Sequence, residues 1–189
     1  MFQTRIHGRG GQGVVTAAEM LSIAAFREGR HAQAFPSFGS ERTGAPVVAF
    51  CRVAEREIRL REPILEPDAL IIQDPTLLHQ VDVFSGLKAG GLVLLNTARP
   101  LDRLGLGGLS FRIVAVPATE LAMKHVGRPV PNAALLGAFS ALTGLLQLAS
   151  VATAIETKFS GKVAAANVAA ASEAFELAAT RGTSHAEAG

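Results

Sequence analysis

Near the start of the chain, Gly8-Arg9-Gly10-Gly11-Gln12-Gly13 forms a G-x-G-x-x-G stretch. Glycines at this spacing let a backbone approach phosphate oxygens. The free N–H groups and dipole of a following helix then bind the anion. Arg9 adds a cation to that stretch. The other reading is a plain tight turn between a strand and a helix. A second loop, Ser37 to Ala45, carries Arg42, a fork-shaped donor for phosphate or carboxylate. Ser40 and Thr43 are small hydroxyl donors beside it, and Gly44 follows. Its plain alternative is a solvated turn with a surface pair between Glu41 and Arg42. Third, Asn132 follows Pro129-Val130-Pro131 and opens an apolar helix. Capping that helix is its ordinary use. A ligand or subunit contact is the alternative.

Strands and helices must position these groups. Phe2–His7 reads as a strand that stops at Gly8. Val14–Arg27 has apolar residues three and four apart, which predicts a helix ended near Gly29. His31–Phe35, Val47–Val53, Ala69–Gln73, Leu92–Leu95 and Phe111–Val116 predict further strands. Glu57–Leu60 reads as a hairpin partner for Val47–Val53. Helices are expected over Ala118–Val126, Asn132–Leu148, Val151–Phe159 and Lys162–Ala179, with Ser150 as the cap that separates the second and third. Short buried strands alternating with helices predict an α/β protein, a Rossmann-like and mostly parallel sheet with flanking helices, in one domain over residues 1–180. Residues 181–189 are expected to form a loose tail. In a Rossmann-like order the ends of the first two strands lie side by side, which would set the Ser37–Ala45 loop against the glycine stretch.

A nicotinamide reading requires an acid at the end of the second strand to hold ribose hydroxyls. The chain has Pro36-Ser37 there. The anion loop is present without the ribose clamp, so a phosphate-bearing ligand other than NAD fits better. The five histidines are scattered without metal-ligand spacing. His7 abuts the glycine stretch and reads as structural. Cys51, the single cysteine, reads as a core thiol. One cysteine excludes a disulfide scaffold, and this chain alone cannot build an iron–sulfur cluster or a zinc–thiolate site.

The 189 residues are 49% hydrophobic and 18% charged, with no Trp or Tyr. Disorder is excluded by that balance. A net charge of +2 gives no footprint for nucleic acid. No charge occurs from Ala133 to Ile155, but Ser, Thr, Gln and Gly dilute the stretch, so a buried helix pair fits better than a membrane span. The start has no apolar signal region, and the free cysteine suits a reducing compartment, so a cytoplasmic protein is expected. Few charges on a chain of this size also predict a large partner interface, on the order of 1,000 Å² or more.

Four ordered stretches, GRGGQGVVTAAEML, HAQAFPSFGSERTGAPVVAFCRV, GRPVPNAALLGAF and AIETKFSGKVAAANV, resemble the gamma subunit or domain of thiamine-diphosphate-dependent 2-oxoacid:acceptor oxidoreductases, of the pyruvate:ferredoxin type. The resemblance spans about Phe2 to Ala179. It implies a non-catalytic subunit of a complex that decarboxylates a 2-oxoacid oxidatively, usually to an acyl-coenzyme A, and passes electrons to ferredoxin or another acceptor. It further implies alpha, beta and ferredoxin-like delta partners that carry thiamine diphosphate, Mg and the iron–sulfur clusters. Coenzyme A would be held by Gly8–Gly13, by Ser40, Glu41, Arg42, Thr43 and Gly44, and by Asn132. Glu41-Arg42 stands where some members have paired basic residues. The rival readings are a free-standing NAD(P)-binding oxidoreductase and a pure assembly subunit. The identity of the 2-oxoacid is not written in these residues.

Overall fold

The computed structural model describes residues 1–37, 43–106, 109 and 111–186, with side chains to residue 181. The elements run β1 (Phe2–Arg9), α1 (Val14–Arg27), β2 (His31–Pro36), β3 (Pro46–Ala54), β4 (Ala69–Ile72), β5 (Leu92–Asn96), β6 (Arg112–Val116), α2 (Ala118–Val126), α3 (Asn132–Thr143), α4 (Leu148–Lys158) and α5 (Gly161–Ala186). Short 3-10 turns at Pro75–His79 and Leu101–Leu104 follow β4 and β5. The chain is an α/β protein with one six-stranded sheet in the order β2-β3-β1-β4-β5-β6.

β1, β4, β5 and β6 pair in parallel, with Thr4 opposite Ala69 and Ala69 opposite Leu92. β3 lies between β1 and β2 and runs antiparallel to both. The expected adjacency of the first two strands is therefore corrected. β2 still points the same way as β1, so its following loop emerges at the same end of the sheet. That loop reaches the glycine stretch by another route. The hairpin expected from Glu57–Leu60 does not form, because β1 and β2 already occupy both edges of β3.

Alternation along the strands separates two cores. Ile6, Ile71, Leu94 and Val114 face α1, α3 and the other helices. Leu70, Ile72, Val93 and Leu95 face Leu77, Val83, Leu87 and Leu106 in the connections on the opposite side. The uncharged stretch is the centre of the first core. α3 is buried almost from end to end, so much of the apolar surplus is consumed inside the chain. Its break falls at Gly144, which takes φ 59°, and α4 starts at Leu148; Ser150 lies in the first turn of α4 and not at its cap. A Cβ on Gly137 would stand 1.9 Å from Ala171 O, so this glycine sets how closely α3 approaches α5. Helix α5 continues to Ala186, through most of the expected tail. Among the described residues no helix is long and apolar enough to cross a membrane.

Candidate functional site: the glycine loop at the carboxyl edge of the sheet

β1 runs two residues further than its composition suggests, because Gly8 and Arg9 pair with Val47 and Pro46. Beyond it, Gly10 N–H donates to Ala45 O at 2.9 Å and Gly44 N–H donates to Gly10 O at 3.0 Å. The glycine stretch and the Thr43–Ala45 segment are thus zipped together by backbone bonds. Ser40, Glu41 and Arg42 lie outside the described residues. Gly11 and Gly13 have φ 94° and 70°, conformations in which an L side chain is strained. Gly13 occupies the N-cap of α1, and no side chain caps that helix. The first turn of α1 therefore presents backbone donors and a positive dipole end at the carboxyl edge of the sheet, which suits an anion.

Arg9 and Gln12 turn inward. The Arg9 guanidinium donates to Asp74 Oδ2 (3.1 Å), Gly44 O (3.0 Å), Thr76 Oγ1 (2.7 Å) and Gln80 Oε1 (2.9 Å). Gln12 accepts from Arg9 N–H at 2.8 Å and donates through Nε2 to Asp74 Oδ2 at 2.9 Å. Burial opposes ionisation of Asp74, but hydrogen bonds from Thr76 and Gln12 and the charge of Arg9 outweigh it and hold its carboxyl below the usual value. These side chains brace the loop. The groups directed outward are mainly backbone.

Asn132 is the first residue of α3 and does not cap it; Pro131 stands at the cap. Asn132 is 1% exposed, with Oδ1 accepting from Ala133 N–H (2.8 Å) and Nδ2 directed at Gly13 O (3.4 Å). A Cβ on Gly13 would meet Asn132 Nδ2 at 2.4 Å. The structure thus brings Asn132 onto the end of the glycine loop from far along the chain.

Two further polar residues stand at this edge that their spacing does not announce. Gln73 and Asn96 follow runs of buried apolar residues at the carboxyl ends of β4 and β5, where ligands of open α/β sheets bind. Asn96 Nδ2 donates to Gln73 O and Thr119 Oγ1, and its Oδ1 accepts from Thr119 N–H, tying β5 to the start of α2. The signal was the polar residue that ends each apolar run. A cavity of about 430 Å³ opens beside Asn96, lined also by Thr76, His79, Thr97, Arg99 and Thr119 among others. Thr76 joins it to the Arg9 brace. Among the described residues no cluster of His, Cys, Asp and Glu could hold a metal ion.

His7 and Cys51 are internal. Burial first, and the Arg5 cation second, push the imidazole of His7 down to about 4. Its Nε2 accepts from Arg5 Nε at 3.0 Å. Burial pushes the Cys51 thiol up to about 12, so it is no nucleophile.

Fold and site together define an α/β domain with a braced glycine loop at the carboxyl edge of its sheet. The family model described as pyruvate ferredoxin/flavodoxin oxidoreductase matches residues 3–177, and the chain belongs to that family. It is 48% identical to the Pyruvate/ketoisovalerate oxidoreductases common subunit gamma of Pyrococcus abyssi, covering 93% of this chain and 96% of that one. It is 46% identical to the pyruvate synthase subunit PorC of Methanothermobacter marburgensis, over 93% and 97%. The crystal structure of pyruvate oxidoreductase subunit PORC from Thermotoga maritima superposes with a TM-score of 0.82 at 36% identity, over 93% and 95%. Within the family the chain is thus a gamma-type subunit of a multi-subunit 2-oxoacid oxidoreductase. The fold also recurs, at 18% identity and TM-score 0.74, within 31% of a longer chain: 2-oxoglutarate:ferredoxin oxidoreductase from Magnetococcus marinus. A free-standing nicotinamide enzyme is disfavoured on the geometry as well, since β3 separates the end of β2 from β1.

Proposed function

We propose that this gamma-type subunit completes the active-site cleft of a cytoplasmic 2-oxoacid:acceptor oxidoreductase and holds coenzyme A there. The uncapped start of α1, behind a glycine loop with two left-handed residues, carries this reading. It suits the diphosphate of a coenzyme, and the absent ribose acid suits coenzyme A better than NAD. Gly11, Gly13 and the first turn of α1 offer their backbone to the ligand in this reading, Gly8 and Gly10 let it approach, Arg9 and Gln12 brace the loop, and Asn132 closes its far end. Thr43 and Gly44 enter through their backbone bonds to Gly10, while Ser40, Glu41 and Arg42 are assigned by sequence alone. The solved Magnetococcus enzyme, a fold relative, has coenzyme A and succinyl-CoA bound.

Thiamine diphosphate, Mg and iron–sulfur clusters belong to the alpha, beta and ferredoxin-like delta subunits in this reading. The decarboxylation chemistry is theirs, and this chain binds and orients the acyl acceptor. The relatives named for pyruvate and ketoisovalerate make those the first 2-oxoacids to assay.

The test is Asn132→Ala in the co-purified complex, with reduction of an artificial acceptor as the readout. A KM for coenzyme A raised about tenfold, with the KM for the 2-oxoacid unchanged, is expected, because losing the Asn132 amide frees the Gly13 end of the loop and costs about one hydrogen bond of positioning. An unchanged KM in a complex that assembles normally refutes the reading and leaves an assembly role.

A further inference from the structure

Gln73 is a buried amide whose side chain makes no hydrogen bond within the chain among the described residues. It follows the buried apolar run Ala69–Ile72 and is itself 1% exposed. Its backbone is fully used: its N–H donates to His7 O at 2.7 Å, and its carbonyl accepts from Asn96 Nδ2 at 2.7 Å. Its carboxamide is not used. Nε2 and Oε1 are both enclosed, and neither has a hydrogen-bond partner among the described residues. Buried amides almost always find partners, and one that does not is stabilised by replacement with a hydrocarbon of like shape.

The position of this amide is specific. Alternation from Ile71 puts Gln73 on the helical face of the sheet, beside Gly8. Its Oε1 lies 3.1 Å from where a Cβ on Gly8 would stand. The glycine loop is therefore backed by a carboxamide at each end, Gln73 at Gly8 and Asn132 at Gly13. Asn132 has its partners and Gln73 lacks them. The carboxylate nearest in sequence, Asp74, has its oxygens engaged by Arg9, Gln12 and Thr76, so its charge is largely compensated.

We propose that Gln73 is a coenzyme-binding residue, whose Nε2 donates to the diphosphate of coenzyme A when the coenzyme occupies the glycine loop. This rests on the reading that the loop holds coenzyme A. The free subunit then carries an unmet hydrogen-bonding group at the edge of its core, and the ligand meets it. Stability without ligand and affinity for ligand must trade against each other at this one residue.

Gln73→Leu separates this role from a structural one, with Gln73→Met as a second variant should Leu perturb folding. Two quantities are measured. The first is the thermal midpoint of the full-length chain by far-ultraviolet circular dichroism without coenzyme A. The second is the ratio of KM values for coenzyme A and for pantetheine, which lacks the diphosphate, in the assembled complex. The expected result is a midpoint that rises or holds and a ratio that increases about ten- to a hundredfold. A lowered midpoint with both variants shows that the amide is already satisfied in the free chain, by enclosed water for example, and overturns the proposal. An unchanged ratio also overturns it, whether both KM values rise together or neither moves. If Asn132→Ala and Gly13→Ala are likewise without effect on coenzyme A, the coenzyme site itself lies elsewhere. If they act and Gln73→Leu does not, only the role of Gln73 fails.

Discussion

His7 offers a measurement of the buried face of the sheet. It is 6% exposed, accepts from Arg5 Nε, and is held neutral by burial and by that neighbouring cation. Its folded value of about 4 lies below the ordinary imidazole value of 6.5. Above pH 6.5 the folded and unfolded chains bind the same number of protons at this site, and stability is unaffected. Between 6.5 and about 4 the unfolded chain takes up a proton that the fold refuses, so stability falls as pH falls. The full loss is about 3 kcal/mol, and about 2 kcal/mol of it is reached by pH 5. Urea titrations at pH 7.5 and 5.0, followed by circular dichroism because the chain has no Trp or Tyr, read this directly. His7→Gln keeps an acceptor for Arg5 and cannot titrate. The variant should therefore lose less stability than the parent between these two pH values, by about 2 kcal/mol. Equal losses in parent and variant would show that His7 is readily protonated in the fold and refute the assignment.

Gly137→Ala drives a Cβ into the backbone of Ala171, which no rotamer change relieves, so a loss of about 3 kcal/mol or more, or an insoluble chain, is expected. Gly144→Ala is its control: nothing lies within 4 Å, and only the φ of 59° is strained, for about 1 kcal/mol in the same urea titration. Asp74→Asn removes the anion that Arg9, Gln12 and Thr76 share, and should cost about 1–3 kcal/mol at pH 7. Because the Asp74 carboxyl is held below its ordinary value, that difference persists above the carboxylate range and shrinks as acid protonates it, which titrations down to pH 3 would show.

The α/β class, the strand–glycine–helix start and α1 with both its ends were legible because each rests on local pattern. Leu92–Leu95 and Ala118–Val126 came within a residue of the structure for the same reason. The insertion of β3 between β1 and β2 was not legible, since strand order depends on which edges are free after folding. Ser150 was a poorer guide than Gly144, where the backbone had to turn left-handed. Asn132 was found as a polar residue before an apolar helix, but its contact with Gly13 joins residues 119 apart. Arg9 read as a cation that would help bind an anion, and its bonds to Asp74, Thr76 and Gln80 were not legible because those residues carry no spacing relative to it. Gln73 stood in plain view as the polar end of ALIIQ, and only enclosure gave it meaning.

The place of β1 in the sheet has a consequence for biosynthesis. β1 precedes both of its neighbours in the chain, β3 on one edge and β4 on the other, and must wait for each. The Arg9 brace of the glycine loop is not complete until the chain has been made as far as Gln80. Asn132 arrives some fifty residues later still. Until β3 and β4 have both been made, β1 waits with an open edge, the condition in which nascent sheets are captured by wrong partners. The stretch of synthesis between β1 and β4 is therefore the interval in which this subunit is most open to wrong pairing.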